Sequence, residues 1–85
     1  MISKTRRSFW EHFDRLPAAI QGVAREKFEL WHEDPFHPSL QFKELRPMLW
    51  SARITDNYRA LALRKGEVVV WFWVGGHAEY DRLIR

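Results

Sequence analysis

The chain has 85 residues, a length that predicts one domain, residues 1–85. Its formal net charge of +3 is compatible with a nucleic-acid or acidic-protein partner. It contains no cysteine, which excludes disulfides and thiolate metal sites and favours a reducing compartment. No apolar stretch approaches the roughly 20 residues of a membrane span and no signal-peptide pattern is present, so the sequence predicts a cytoplasmic protein without a membrane anchor.

The chain opens with a predicted helix. Ser3 or Thr5 is a suitable N-cap residue, because its hydroxyl can accept from an orphan backbone N–H. Phe9, Trp10 and Phe13 follow at spacings that place aromatic rings on one helical face. We expect this face to enter the core or to line an apolar groove.

A second helix is predicted after Leu16-Pro17. Proline suits the first turn of a helix, where its missing N–H costs nothing. The helix is expected to run from about Ala18 to His32, and the prolines of residues 34–39 make the next segment a loop. Its apolar positions at helical spacing are Ile20, Val23, Ala24, Phe28 and Trp31.

Beyond the loop the apolar period changes from 3.6 to 2, which indicates strands. The predicted strands are Leu40–Leu45, Trp50–Thr55, Tyr58–Arg64 and Val68–Val74. Turn signals separate them, and their short connections require antiparallel pairing. The last strand is apolar on both faces and is expected to lie centrally. The final segment, Ala78 to Ile84, is predicted as a short helix or tail.

These elements predict an α+β fold in which two N-terminal helices pack on a small antiparallel β-sheet, a meander, followed by the short C-terminal helix or tail. Met1-Ile2 is too short to be predicted as a strand. Gly75-Gly76 is expected to end the last strand. The Trp71-Phe72-Trp73 run is interpreted as core because its neighbours are valines.

The common chemical motifs are absent. The sequence has neither a P-loop nor a dinucleotide fingerprint. His32 and His37 are five residues apart across a proline-containing loop, which does not favour a metal site. We therefore predict no cofactor and no metal.

A basic cluster in the β half is the strongest candidate for a site. Arg53 and Arg59 flank the predicted Asp56-Asn57 turn, and His77 follows the last strand. Their positions allow them to converge at one end of the sheet. Arginine pairs can stabilise developing phosphate charge, and histidine can transfer protons near neutral pH, which is the chemistry of RNA cleavage without a metal. Tyr80 or Trp50 could stack on a base.

Structural roles fit the same residues. Arg59 could pair with Asp56, and His77 could cap the last strand or the terminal helix. Glu79 fits an ion-pair partner of Arg53 or Arg82 better than a general base. Tyr80 could be packed in the core.

The order of motifs resembles the RelE/ParE superfamily of toxins from bacterial toxin–antitoxin pairs, from Phe9 onward. The Tyr58-Arg59 step and the Gly-His-x-Glu-Tyr ending are the most specific parts. The segments that carry the resemblance are Leu16-Pro17, Asp34-Pro35, His37-Pro38-Ser39-Leu40, Lys43-Glu44-Leu45, Trp50-Ser51-Ala52-Arg53-Ile54, Asn57-Tyr58-Arg59-Ala60-Leu61 and Val74-Gly75-Gly76-His77-Ala78-Glu79-Tyr80.

The resemblance implies which residues act. Arg59 matches the strand arginine that contacts the scissile phosphate in RelE-like nucleases, and Arg53 falls where they keep a basic residue. His77 sits where the YafQ-like branch has its histidine, so these three form the implied catalytic set. Ser51 replaces a lysine that RelE carries. The implied RNA contacts are Lys43, Ser51 and Tyr80.

The resemblance also implies partners and activity. The RelE-like branch cuts mRNA in the ribosomal A site without a metal, and this branch, with YafQ, is favoured here. The alternatives are a ParE-like inhibitor of DNA gyrase and a non-catalytic relative that only binds its antitoxin. The expected partners are a cognate antitoxin, seated in an apolar groove between the N-terminal helices and the sheet edge, with mRNA and the ribosome, or alternatively gyrase.

Overall fold

The computed structural model describes all residues, 1–85. It contains a five-stranded sheet and three α-helices, so the predicted α+β class is confirmed. Residues Pro38–Leu40 form a 3-10 turn. In chain order the other elements are β1 (Ile2–Thr5), α1 (Arg7–Asp14), α2 (Ala18–Glu33), β2 (Lys43–Arg46), β3 (Leu49–Thr55), β4 (Tyr58–Lys65), β5 (Val68–Gly76) and α3 (His77–Ile84).

The sheet is mixed, with the strand order β1-β5-β4-β3-β2. Strands β2 to β5 form the predicted antiparallel meander. The first strand pairs parallel with β5, from Ile2 opposite Val68 to Thr5 opposite Trp71. Met1-Ile2 was considered too short for a strand, but the strand extends from Ile2 to Thr5. Most of β1 is exposed, so its sequence has no alternating apolar pattern. It forms a strand because it pairs with β5, which is more than 60 residues later in the chain.

Helix α1 continues along the sheet edge where β1 stops. The Arg6 N–H donates to the Trp71 carbonyl at 2.9 Å and the Ser8 hydroxyl donates to the Phe72 carbonyl at 2.9 Å. Arg6 is the N-cap residue, without a side-chain cap bond. Ser3 and Thr5, the predicted caps, instead belong to β1.

The predicted second helix and loop are observed, with small changes at their boundaries. Helix α2 begins after Pro17 as expected and ends at Glu33. The first predicted strand starts later, at Lys43, because Leu40 belongs to the 3-10 turn and Gln41 has a left-handed backbone with φ of 44°. The Gly75-Gly76 pair does not end β5, which runs through both residues.

Two clusters of buried side chains cover the two faces of the sheet. The larger contains α1 and α2 side chains with Trp71, and the smaller joins Leu61, Trp73 and Tyr80 beneath α3. Trp73 lies opposite Leu61 and Trp71 opposite the next residue, Ala62. Phe72 is therefore an extra residue, a β-bulge, that sends the two tryptophans to opposite faces. The Trp71-Phe72-Trp73 run packs in the core, as predicted, but Trp71 belongs to the larger cluster and Trp73 to the smaller one.

None of the helices is long and apolar enough to cross a membrane.

Gly75 allows Trp73 to lie against the backbone. A Cβ at Gly75 would stand 2.5 Å from Cζ2 of Trp73, closer than two carbons can approach. We expect Gly75→Ala to lower the free energy of unfolding by about 1–3 kcal/mol, the usual effect of overpacking. Urea unfolding measures this. Gly22→Ala is the matched control: it meets nothing within 4 Å on helix α2 and should stabilise by about 0.5–1 kcal/mol. Equal stability of Gly75→Ala and the wild type would show that Trp73 repacks freely.

Candidate functional site

A polar depression of about 100 Å³ lies on the face of the sheet that α3 covers. It contains all six residues that the sequence singled out as catalytic or RNA-binding. A seventh residue, Gln41, was not predicted. The lining residues are Gln41, Lys43, Ser51, Arg53, Arg59, His77 and Tyr80.

The strand register explains why these side chains meet. Directly opposed residues of antiparallel strands project from the same face of the sheet. Lys43 is opposite Ser51, and Arg53 is opposite Arg59. Since Ser51 and Arg53 are two residues apart, all four share a face. The sequence left this open, because the register of the hairpin was unknown.

The two opposed arginines find different partners within the chain. Arg53 forms an ion pair with Asp56 in the turn after β3. Nη1 of Arg59 donates to three backbone carbonyl oxygens of the same turn, those of Thr55, Asp56 and Tyr58. Arg59 therefore does bond Asp56, as the structural alternative expected, but through the backbone carbonyl, while the Asp56 carboxylate pairs with Arg53. The Nε and Nη2 groups of Arg59 make no hydrogen bond within the chain.

Three contacts fix His77 at the start of α3. Its backbone N–H donates to the Asn57 carbonyl at 2.7 Å, which ties α3 to the β3–β4 turn. Its ring lies 5.6 Å from the Tyr80 ring, centroid to centroid. Its Nδ1 lies 3.0 Å from Oδ2 of Asp81. Gly76, and not His77, is the N-cap residue of α3.

Glu79 lies away from this depression. It lines a separate hollow with His12 and Arg15 and forms no ion pair with Arg53 or Arg82. The predicted pairing is therefore wrong. The carboxylates that do face site residues are those of Asp56 and Asp81.

The floor of the depression is largely buried. Ser51 is 2% exposed and Tyr80 is 6% exposed, so both can offer only an edge to a ligand. Trp50, the alternative base-stacking residue, packs against the core on the helix face of the sheet, with the Arg64 guanidinium 4.7 Å from its ring centroid. It cannot reach the depression.

Gln41 and Lys43 form the exposed rim. The left-handed backbone of Gln41 is uncommon for a residue other than glycine. Such conformations cluster at functional sites. The side-chain amide offers both donors and an acceptor, which suits contact with a base edge. Nothing in the local sequence marks Gln41, because the turn that creates this conformation was predicted as part of a strand.

The depression is suited to a phosphodiester. Three cations surround it, those of Lys43, Arg53 and Arg59, and only Arg53 has a carboxylate partner within the chain. Guanidinium and ammonium groups donate strong, charge-assisted hydrogen bonds to phosphate oxygens. The imidazole of His77 stands beside them. No group of three or more histidine or acidic side chains could hold a metal ion.

The fold is shared with toxins of toxin–antitoxin pairs. A chain of a RelB–RelE antitoxin–toxin complex from Methanococcus jannaschii superposes with a TM-score of 0.76 at 13% identity, over 96% of this chain and 99% of that one. The Mycobacterium tuberculosis RelBE2 toxin–antitoxin complex gives 0.71 at 24% identity, over 91% of each chain. YafQ from Escherichia coli BL21(DE3) gives 0.71 at 9% identity, over 92% and 94%.

No protein-family profile matches the sequence. No curated protein sequence matches it either. The similarity therefore lies in the path of the backbone, and it extends over nearly the whole chain. The chain has the RelE/YafQ toxin fold.

Proposed function

We propose that this chain is a toxin of the RelE/ParE superfamily and that it is an endoribonuclease of the RelE/YafQ-like kind, which cuts mRNA on the ribosome and inhibits translation. One observation carries the proposal: Lys43, Arg53, Arg59 and His77 line a single depression. A gyrase inhibitor needs no such cluster, because it acts by binding a protein. The shared toxin fold supports the broader assignment.

The residues divide the chemistry of RNA cleavage between them. The attacking 2′-hydroxyl must lose a proton, the leaving 5′-oxygen must gain one, and the negative charge that grows on the phosphoryl oxygens must be stabilised. The free guanidinium nitrogens of Arg59, with Arg53, supply the charge stabilisation. Lys43 holds the RNA backbone at the rim. His77 is the group that donates or accepts a proton, and no metal is required for these steps.

Parallel assays of the purified chain test this function. The chain is added to ribosomes programmed with a defined mRNA, and the message is mapped by primer extension. A matched sample is added to DNA gyrase in a supercoiling assay. We expect cleavage of the mRNA and unchanged supercoiling. Inhibited gyrase with intact mRNA would identify a ParE-like activity. If the chain neither cleaves mRNA nor inhibits gyrase but binds its antitoxin in a separate assay, it is a non-catalytic relative.

An apolar groove of about 290 Å³ runs between β1, α1 and α2, at the sheet edge where the sequence predicted one. Phe9, Trp10, Phe13 and Phe28 contribute its apolar walls. Trp10 is 41% exposed and donates from Nε1 to the Thr5 hydroxyl at 3.0 Å. We propose that an antitoxin segment folds into this groove, because a disordered peptide can bury an apolar helix face there.

Trp10→Ala should weaken binding of the cognate antitoxin by about 30-fold, the effect of losing a hot-spot tryptophan. Isothermal titration calorimetry measures the dissociation constant. Phe36→Ala is the control, since Phe36 is 56% exposed but lies outside the groove. Equal affinities for Trp10→Ala and the wild type would exclude the groove as the antitoxin seat.

A further inference from the structure

Asp81 is the acidic residue closest to the proposed proton-transfer group. It lies one helical turn after His77 on α3, and its Oδ2 is 3.0 Å from Nδ1 of the imidazole. Asp81 does not line the depression, whereas His77 does. Nδ1 is thus the ring nitrogen that the Asp81 carboxylate approaches. Nε2, the other ring nitrogen, has no hydrogen-bond partner within the chain and is the one available to RNA.

The contact could be an ordinary surface pair. The two side chains are 42% and 51% exposed, and exposed pairs one turn apart add little to stability. However, the backbone bond to Asn57 and the packing against Tyr80 already hold His77 in place. What the carboxylate adds is chemical: it can only accept a hydrogen bond, so it selects the form of the ring that carries a proton on Nδ1.

We propose that Asp81 is a positioning residue for His77, an inference that rests on the proposed nuclease function for its consequence in catalysis. The carboxylate keeps the proton on Nδ1 and leaves the lone pair of neutral Nε2 facing the depression. A proton then moves onto or off Nε2 during the reaction, while Nδ1 keeps its own.

Asp81→Ala, Asp81→Glu and Glu79→Ala test this role in the full-length chain. Glu79 is on the same helix, carries the same charge and faces the separate hollow, so Glu79→Ala controls for the loss of an acid from α3. The first measurement is the ¹⁵N NMR spectrum of the His77 ring at alkaline pH, which reports the position of the proton without any activity. The second is the steady-state kinetics of RNA cleavage.

We expect Nδ1–H in the wild type, in Glu79→Ala and in Asp81→Glu, whose carboxylate can still reach the ring. Asp81→Ala should shift the ring to the Nε2–H form that free histidine favours in water. The kcat of Asp81→Ala should fall by roughly 10- to 100-fold, which is less than the loss expected on removing the proton-transfer group itself. KM should be nearly unchanged. Asp81→Glu should recover most of the lost kcat.

Two results would overturn the inference. The first is the same tautomer in Asp81→Ala and the wild type. The second is a changed tautomer in Asp81→Ala with wild-type kcat, which would remove Asp81 from the reaction. A wild-type chain that cuts no RNA refutes the nuclease function separately. The NMR spectra would then still decide whether Asp81 sets the tautomer of His77.

Discussion

His77→Ala should lower the rate of mRNA cleavage by about 10²- to 10⁴-fold, the usual contribution of a positioned proton-transfer group. The loss should appear in kcat more than in KM, because the cations proposed to hold the phosphodiester, on β2, β3 and β4, remain in place. Single-turnover cleavage of ribosome-bound mRNA measures the chemical step directly.

Glu79→Ala is the control for this experiment as well, since it truncates a side chain of α3 outside the depression. Circular dichroism should show the same helix content in both variants, because the backbone N–H of residue 77, which bonds the Asn57 carbonyl, is retained. Cleavage by His77→Ala at the wild-type rate would remove His77 from the mechanism. The basic cluster would then be a binding surface without its proposed proton-transfer group.

Arg59→Lys should lower kcat by roughly 10²- to 10³-fold, the cost of losing a donor directed at developing charge. Lysine keeps the positive charge but not the planar fork. In the wild type, one arm of that fork, Nη1, bonds the carbonyl oxygens of the β3–β4 turn. This leaves Nε and Nη2 to face a phosphate from a fixed position. A single ammonium nitrogen cannot stand at the turn and at the phosphate position at once, as the separate nitrogens of the guanidinium can.

Arg64→Lys is the matched control, because Arg64 lies on the same strand and contacts Trp50 on the other face of the sheet. It should cleave RNA at the wild-type rate. Urea unfolding of Arg59→Lys separates catalysis from stability, since loss of the turn contacts also weakens the hairpin. Equal kcat values for Arg59→Lys and the wild type would show that charge alone is sufficient at this position.

The predicted elements were most accurate where apolar side chains repeat with a regular period. Helix α2 was predicted to within one residue at its end. Strand β3 was found where alternation indicated it, and β5 where a continuous apolar run did. Local caps were less well predicted. Ser3 and Thr5 have the chemistry of N-caps, but pairing with β5 draws both into a strand. A non-local contact there outweighs the local preference.

The candidate site shows the same contrast between what local sequence indicates and what non-local contacts decide. The identities of Arg53, Arg59 and His77 were available from the sequence and from its resemblance to the toxins. Their partners were not: Asp56 pairs with Arg53, and Asp81 with His77. Each of these contacts depends on how a turn or a helix start is oriented, which residue spacing alone does not specify.

By itself, therefore, the sequence determined the α+β class, the second helix, the meander and the chemical character of the β half, because periodicity and residue type are local properties. The tertiary structure decided the parallel pairing of β1, the bulge at Phe72 that sends Trp71 and Trp73 to opposite faces, and the meeting of Gln41 with the basic cluster. These features depend on strand register and on long-range packing. A shift of one residue in register would move every side chain of a strand to the other face of the sheet.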